Sequence, residues 1–345
     1  MRRALVLAGG GARGSYQVGM LQSLVLDQRL DFSIIRGVSV GALNASFLAQ
    51  APSSPDPVAA LQRKVVELEE LWRREIRGNQ SVYKKRVGGF GGLVGGADSI
   101  YSLKPLRGLI AKHVALDALR TSGRDFKVGT ASLVSARYQE WGPEDPAFLE
   151  KLMASASIPA VFPFVEVKAE RDVLVDGGVR NITPLSGTFA AKPDEIYVLL
   201  TSRLIRTGSE LPDSGATEEN YEQWQDNWLG TKVNGLKVLE RTIEILSDEI
   251  YLDDLRGALS WNALLKSKDA VVAAAGGAPA NGELARAIAE LQQSTEKRHV
   301  PIHVLAPREW YGKSNSSTEF SPELIARAID HGREIGADRS KWLWP

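Results

Sequence analysis

Residues 5–21 read LVLAGGGARGSYQVGML, an apolar strand candidate followed at once by a glycine cluster and a helical pattern. The letters from Gly9 to Gly14 (GGGARG) fit the G-x-G-x-x-G pattern of a dinucleotide-binding loop, in the strand–loop–helix context which that motif requires. A loop of this kind presents backbone N–H groups at a helix N-terminus, where they can hold a phosphate or a developing oxyanion. The rest of the chain must decide between these two roles.

Strand-like and helical segments alternate along the chain outward from this loop. Strands are predicted at 4–8, 33–38, 126–134, 173–175, 195–200 and 301–307, and helices at 16–26, 42–49, 58–76, within about 217–265 and at 322–332. This alternation predicts a three-layer α/β/α fold with a largely parallel central sheet. We expect a core over residues 1–205, a mostly helical insertion or cap over 206–298, and a C-terminal strand and helix over 299–345 that return to the core.

The composition narrows the class of protein. The 345 residues include 42 basic and 42 acidic side chains, so the net charge is zero, no attraction to nucleic acid is predicted, and homo-oligomers form more easily. Cysteine is absent, which excludes disulfides, thiolate catalysis and cysteine-ligated zinc and suits a reducing compartment. No segment approaches the ~20 apolar residues that span a bilayer. We expect a cytoplasmic protein that can associate peripherally with a membrane.

The second predicted strand ends in GVSVG, from Gly37 to Gly41, which is a G-x-S-x-G pattern between a strand and a helix. A strand that turns sharply into a helix projects the middle residue at the carboxyl edge of the sheet, and flanking glycines permit the close approach. A Rossmann unit would need an acidic residue here to hold a ribose, but Asp27 and Asp31 precede the strand. The pattern favours Ser39 as a nucleophile, with a helix N-cap as the alternative.

A nucleophilic serine needs a base, and Asp176 is the best candidate. It follows the apolar run Val-Leu-Val and precedes Gly177 and Gly178, so it ends a strand at the edge where open α/β sheets keep their sites. A partly desolvated carboxyl group there would have a raised pKa and could take the serine proton directly. An ordinary Asp-Gly turn is the alternative. We expect structural roles for the four histidines, which are His113, His299, His303 and His331. The alternative that one of them is the distal histidine of a catalytic triad stays open.

With a serine nucleophile, the glycine loop gains a different role. Consecutive glycine N–H groups at a helix N-terminus form a concavity lined by donors, which suits the oxyanion that develops when a carbonyl is attacked. Arg13 adds a positive charge to this site or clamps the loop. The predicted oxyanion hole comprises Gly9, Gly10, Gly11, Arg13 and Gly14.

Together the three elements resemble the patatin-like phospholipase family, whose pattern is G-G-G-x-R-G, a G-x-S-x-G elbow about 25 to 30 residues later and a distant D-G-[AG]. Residues 157–163 (SIPAVFP) are also similar to the family's segment before the aspartate, and the resemblance covers about residues 1–200. It implies a fold related to cytosolic phospholipase A2, a dyad of Ser39 and Asp176 without histidine, and the glycine loop with Arg13 as oxyanion hole. It also implies hydrolysis of fatty-acyl esters of phospholipids or lysophospholipids, without a metal or cofactor.

Several alternatives stay open at this point. The same dyad could serve a thioesterase or an acyltransferase, the glycine loop could belong to a nucleotide-binding module, and the fold could carry a non-catalytic interaction protein. The glycine-rich stretch from Val87 to Ser99 is either a surface linker or a flexible apolar flap. Trp224, Trp228 and Trp261 are either core residues or anchors in a membrane interface, where a lipid substrate would be met.

Overall fold

The structure, a computed structural model, describes residues 1–86, 96, 98–205, 213–214, 235–274, 282–293, 298–309 and 317–344. Most of the glycine-rich stretch, at 87–95 and 97, lies outside the described residues, and so do Trp224 and Trp228. Trp261 is described and is 44% exposed, so it is not a core residue.

The described strands form one large sheet and two short ladders. They are β1 (Arg3–Leu7), β2 (Ile34–Val38), β3 (Lys84–Lys85), β4 (Tyr101–Ser102), β5 (Asp125–Ser132), β6 (Tyr138–Trp141), β7 (Val165–Val167), β8 (Asp172–Asp176), β9 (Glu195–Leu199), β10 (Leu204–Ile205), β11 (Asp213–Ser214) and β12 (Ile302–Leu305). The large sheet has the order β12-β9-β1-β2-β5-β8-β7, with β6 also paired to β5. Strands β12, β9, β1, β2 and β5 are parallel, whereas β6, β7 and β8 pair antiparallel.

Ten α-helices are described. They are α1 (Gly14–Leu21), α2 (Val40–Leu48), α3 (Pro57–Arg74), α4 (Lys104–His113), α5 (Leu116–Thr121), α6 (Phe148–Ser155), α7 (Leu185–Ala190), α8 (Gly235–Ala274), α9 (Glu283–Gln293) and α10 (Pro322–Ala337). Helix α1 continues into a π-helical turn at Gln22–Asp27. None of these described helices combines the length and the apolar composition that crossing a membrane requires.

The side chains of β1 show how the layers are built. Leu5 and Leu7 point into one core, which contains side chains of α1, α2, α3 and α10. Ala4 and Val6 point into a second core on the other face of the sheet, which contains side chains of α7 and α8. A parallel strand that is buried on both faces reads as a continuous apolar run, and each buried Leu or Val contributes roughly 1.5–3 kcal/mol. The predicted three-layer α/β/α fold with a largely parallel sheet is confirmed.

Some predicted boundaries differ from the structure. The last helix runs to Ala337, five residues beyond its predicted end, so His331 lies in its interior instead of its last turn. Helix α8 extends nine residues beyond the predicted end of the helical region at Leu265. Strands β6 and β7 were not predicted, because each is only three or four residues long and has no fully buried alternating face.

Helices α1 and α10 pack backbone against backbone at two glycines. A Cβ atom on Gly19 would lie 1.8 Å from the carbonyl oxygen of Ile329, and one on Gly332 would lie 2.1 Å from the carbonyl oxygen of Tyr16. Real Cβ atoms do not approach backbone this closely, so both positions require glycine. This contact fixes α10 on the same face of the sheet as the helix that follows the glycine loop.

We expect Gly19→Ala to lower the free energy of unfolding by roughly 2 kcal/mol or more, because the two helix backbones must move apart. Urea denaturation measures this change. Gly108→Ala in α4 is the matched control, since nothing lies within 4 Å of the added methyl group. There the better helix propensity of alanine is expected to stabilise the fold by about 0.5–1 kcal/mol. Equal stability of the two variants would contradict the backbone contact.

Candidate active site

Ser39 lies in the sharp turn between β2 and α2, as predicted. Its backbone has φ 57° and ψ −131°, a conformation that residues with a side chain rarely adopt and that costs of order 1–3 kcal/mol. The flanking glycines make the turn possible, because a Cβ on Gly37 would lie 2.4 Å from the Gly41 carbonyl oxygen and one on Gly41 would lie 2.0 Å from that of Leu7. Although Ser39 precedes α2, its side chain makes no capping hydrogen bond.

A short segment at the end of α6 braces both candidate residues. The backbone N–H of Ser39 donates to Ser155 Oγ at 3.0 Å, and Ser155 Oγ donates to the Gly129 carbonyl at 2.7 Å. The backbone N–H of Asp176 donates to the Ser157 carbonyl at 2.9 Å. In the sequence, only the family resemblance of residues 157–163 pointed to this segment, and Ser155 was not predicted, since no local pattern indicates a partner 116 residues away.

Asp176 is the last residue of β8, and its side chain is 3% exposed. Its Oδ1 accepts a hydrogen bond of 2.8 Å from the backbone N–H of Gly178. Its Oδ2 is buried and accepts no fully formed hydrogen bond from the described residues. Ser39 lines the same cleft as Asp176, and its hydroxyl lowers the pKa of this carboxyl group. The structure thus brings Ser39 and Asp176 together from two different strands of the sheet.

The proton affinity of Asp176 follows from this setting. Burial raises the pKa of Asp176 from its ordinary 3.8 to about 7, although the Gly178 N–H and the Ser39 hydroxyl both lower that pKa. A carboxyl group with a pKa near neutrality can accept a proton at pH 7 and release it again.

The glycine loop passes directly beside Ser39. A Cβ on Gly9 would lie 3.0 Å from the Ser39 Cβ, and a Cβ on Gly10 would lie 1.9 Å from Thr201 Oγ1. Gly10 and Gly11 have φ values of 145° and 58°, which glycine adopts without strain. Close approach and backbone conformation therefore both demand glycine here.

The backbone N–H groups of this loop differ in their partners. The N–H of Gly9 donates to the Ile182 carbonyl at 3.3 Å. Among the residues that the structure describes, the N–H groups of Gly10 and Gly11 have no acceptor. Two donors at the edge of a pocket suit an anionic oxygen.

The remaining predicted loop residues lie on different sides of the loop. Arg13 lines the same pocket as Ser39. Gly14 begins α1 and is packed against the elbow, because a Cβ there would lie 2.4 Å from Val40 Cγ2. Gly14 is not among the residues that line the pocket. Gly177 packs against β5 at the end of β8, because a Cβ there would lie 2.7 Å from the Gly129 carbonyl oxygen.

Two pockets meet at Ser39. The first, which we call the polar cleft, is lined by Gly10, Gly11, Arg13, Ser39, Ile158, Asp176, Gly178, Val179, Ile182, Ser247 and Ser317. The second, which we call the apolar pocket, has about 900 Å³ of empty space, its open mouth included. Ser39 thus has charged and donor groups on one side and an apolar space on the other.

Side chains of α2, α3 and α4 form most of the apolar pocket. Its lining includes Val40, Leu43, Phe47, Leu68, Leu71, Trp72, Ile76, Leu103, Leu106, Leu109, Ile110 and Phe162. It follows α2 from Val40 to Phe47, which at 1.5 Å per residue is about 10 Å. A pocket of this shape and composition fits an extended hydrocarbon chain.

No histidine is among the described residues that line the polar cleft. His113 lines the apolar pocket instead, and its Nε2 lies 3.0 Å from a carboxylate oxygen of Glu75. His331 packs edge-on against Tyr16, and burial lowers the pKa of His331. The structural roles that we expected for the two residues stay predictions.

Comparison with known proteins identifies the family. The family model described as patatin-like phospholipase matches residues 5–189, more than half of the chain, so the chain belongs to this family. The matched span contains the glycine loop, the elbow and Asp176, and the resemblance noted in the sequence is confirmed. The family is one of lipid acyl hydrolases, the enzyme class that the resemblance implied. No curated protein matches the chain.

Two solved structures are similar to the chain at low identity. One is VipD from Legionella pneumophila, with 14% identity and a TM-score of 0.40 over 97% of this chain and 66% of that one. The other is the heterodimeric ExoU–SpcU complex of the Pseudomonas aeruginosa type III secretion system, with 16% identity and a TM-score of 0.29 over 85% and 66%. The chain thus spans about two thirds of the length of each of these structures.

The buried carboxyl group has a predictable effect on stability. Because the folded-state pKa of Asp176 lies above its ordinary value, the native state binds this proton more tightly than the unfolded chain, and stability falls as pH rises from about 4 to about 7. We expect Asp176→Asn to raise the free energy of unfolding at pH 8 by roughly 1–4 kcal/mol, the upper limit following from about 1.4 kcal/mol per pH unit between the two pKa values.

The gain in the free energy of unfolding should shrink as the pH falls toward 4. Urea denaturation of the wild type and Asp176→Asn at pH 5 and pH 8 measures this difference. Asp172→Asn at the other end of β8 is the control, because Asp172 is half-buried and accepts a hydrogen bond from Ser132. A gain at Asp176 that is independent of pH would contradict the raised pKa.

Proposed function

We propose that this protein hydrolyses fatty-acyl esters of lipids, with Ser39 as nucleophile and Asp176 as general base. One observation carries the proposal: Ser39 lies where the polar cleft and the apolar pocket meet, beside a buried carboxyl group whose pKa is about 7. A serine without a base could not attack at a useful rate, and Asp176 is the acidic side chain that lines the cleft among the described residues.

The first half of the reaction acylates the enzyme. Asp176 takes the hydroxyl proton of Ser39 as Oγ bonds to the carbonyl carbon of the ester, and the carbonyl oxygen becomes an oxyanion. The N–H groups of Gly10 and Gly11 donate to this oxyanion, and the positive charge of Arg13 stabilises it further. The tetrahedral intermediate collapses, the ester C–O bond breaks, and the departing alcohol oxygen receives the proton from Asp176. The acyl group remains on Ser39.

The second half of the reaction hydrolyses the acyl-enzyme with water and releases the fatty acid. Asp176 takes a proton from a water molecule, whose oxygen bonds to the acyl carbon. The same donors stabilise the second oxyanion. When the bond to Ser39 Oγ breaks, Asp176 returns the proton to Ser39, and the fatty acid leaves. One carboxyl group thus serves both steps, which requires a pKa near the working pH.

The apolar pocket supports lipids as the substrate class. It begins at Ser39 and continues between α2, α3 and α4, so an acyl chain bound there would place its ester carbon at the serine. The glycerol and head-group part would then lie in the polar cleft, where Arg13 can face a phosphate. We therefore propose phospholipids or lysophospholipids, met at a membrane surface, as the substrates. A thioesterase or acyltransferase would use the same steps with a different leaving group or acceptor.

The dyad is tested with two variants and two controls. Ser39→Ala and Asp176→Asn should each reduce hydrolysis of p-nitrophenyl octanoate by at least about 10³-fold, since they remove the nucleophile and its base. Ser23→Ala and Asp172→Asn should keep near-wild-type rates, because the Ser23 hydroxyl donates to the Arg333 carbonyl and Asp172 accepts from Ser132. Intact-mass spectrometry with a fluorophosphonate lipid analogue should find one adduct on the wild type and none on Ser39→Ala. Near-full activity of either dyad variant would refute the assignment.

The acyl pocket is tested by filling it. Ser46 lines the apolar pocket two helical turns beyond Ser39, so Ser46→Leu should block its far part. We expect kcat/KM for p-nitrophenyl palmitate to fall about tenfold or more, while that for p-nitrophenyl acetate stays within about twofold, because only the long chain reaches this depth. An equal effect on both esters would argue against an acyl chain in this pocket.

A further inference from the structure

Helix α8 lies outside residues 5–189, the span that the family model matches, and yet it packs beside the candidate active site. Its buried side chains belong to the core that also contains residues of β1 and β9. The apolar members of this face are Tyr251, Leu252, Leu255 and Leu259. Two side chains on α8 also make polar contacts with the loops that form the polar cleft.

The first contact is made by Tyr251, which is fully buried. Its hydroxyl donates a hydrogen bond to the carbonyl oxygen of Gly9, and it lies 2.8 Å from Thr201 Oγ1, which donates to the same carbonyl. Burial raises the pKa of Tyr251, so the phenol keeps its proton and remains a donor. Two hydroxyl groups therefore hold one carbonyl of the glycine loop.

This contact determines the direction of a neighbouring N–H group. The carbonyl of Gly9 and the N–H of Gly10 belong to one planar trans peptide, so they point in opposite directions. Holding the carbonyl toward α8 directs the N–H of Gly10 away from α8. Because glycine populates positive and negative φ almost equally, this peptide could rotate easily without such a hold.

The second contact is made by Asp254, one turn further along α8. Its Oδ2 accepts hydrogen bonds of 3.1 Å from the backbone N–H groups of both Ile182 and Thr183. Ile182 in turn accepts the Gly9 N–H and touches the glycine loop, since a Cβ on Gly9 would lie 3.0 Å from Ile182 Cγ1. Asp254 thus fixes the loop that follows Asp176, and this loop also contacts Gly9.

We propose that Tyr251 and Asp254 are positioning residues for acyl transfer, through which helix α8 holds the glycine loop and the loop after Asp176 in their reactive arrangement. The proposal rests on the proposed function, because the arrangement matters only if Ser39 attacks a carbonyl. Neither side chain touches the reacting atoms. Tyr251 acts through the Gly10 N–H, and Asp254 acts through Ile182.

Asn262 provides a matched control on the same helix. Its side chain donates to the Val300 carbonyl at 2.7 Å and accepts from the Val300 N–H at 3.0 Å. These two buried hydrogen bonds tie α8 to the segment before β12 and do not involve either catalytic loop. Asn262→Leu should therefore loosen the docking of α8 as much as the test variants do, without affecting the glycine loop directly.

The experiment measures kcat and KM for p-nitrophenyl octanoate, with the melting temperature, in the full chain. Tyr251→Phe and Asp254→Leu should each lower kcat about tenfold or more, with KM within about twofold, because a displaced oxyanion donor weakens the transition state more than substrate binding. Asp254→Asn should keep at least about half of wild-type kcat, since its amide oxygen can still accept both N–H groups. Asn262→Leu should melt earlier and keep kcat within about twofold.

Three outcomes would overturn the positioning role. In each of them the wild type is active. The first is an unchanged kcat in Tyr251→Phe and Asp254→Leu, and the second is an effect of these two variants on KM alone. The third is a loss of kcat in Asn262→Leu that equals theirs. A wild type that neither hydrolyses the ester nor forms the fluorophosphonate adduct would refute the proposed function itself. The adduct on the wild type therefore separates failure of the positioning role from failure of the proposed function.

Discussion

The candidate active site depends on two backbone segments that touch with no side chain between them. A Cβ on Gly41 would lie 2.0 Å from the Leu7 carbonyl oxygen, and one on Gly9 would lie 3.0 Å from the Ser39 Cβ. Strands β1 and β2 are parallel neighbours, so the loops that follow them leave the same edge of the sheet and must turn within one strand spacing of about 4.8 Å. Any side chain at these glycines would push the loop away from the elbow, and the donors would lose their target.

The site combines groups that are costly to bury with a scaffold that holds them there. Ser39 has a strained backbone, and burial raises the pKa of the Asp176 carboxyl group to about 7 because its ionised form is costly to bury. Ser155 at the end of α6 braces Ser39, Ser157 just beyond α6 braces Asp176, and the two faces of β2, the strand before Ser39, are covered by apolar cores. The cores on either side of the sheet offset these costs, and the same rigidity keeps a buried carboxyl group beside the serine.

The sequence was sufficient for the fold class, but it placed Asp176 near Ser39 on the wrong ground, because β8 runs antiparallel to β5 and its carboxyl end points away from that of β2. The two residues meet through the register of the sheet, in which Asp176 pairs with Thr130 and Val38 pairs with the preceding residue, Gly129. The sequence was insufficient for contacts between distant segments. Ser155, Tyr251 and Asp254 lie on helices without a motif, and their partners in the site are between 26 and 242 residues away. The short strands β6 and β7 have too few residues for a period of two to emerge, and the described structure alone reveals them.

The hydrogen bond between Tyr251 and Gly9 also has a consequence for the order of folding. The two residues are separated by 242 positions, so this contact closes a long loop and belongs to the slow, non-local part of folding. During synthesis, Gly9, Ser39 and Asp176 all leave the ribosome well before Tyr251 does. A nascent chain therefore carries its serine and its carboxyl group before the glycine loop is fixed. Completion of the candidate active site is thereby deferred until most of the protein has been made.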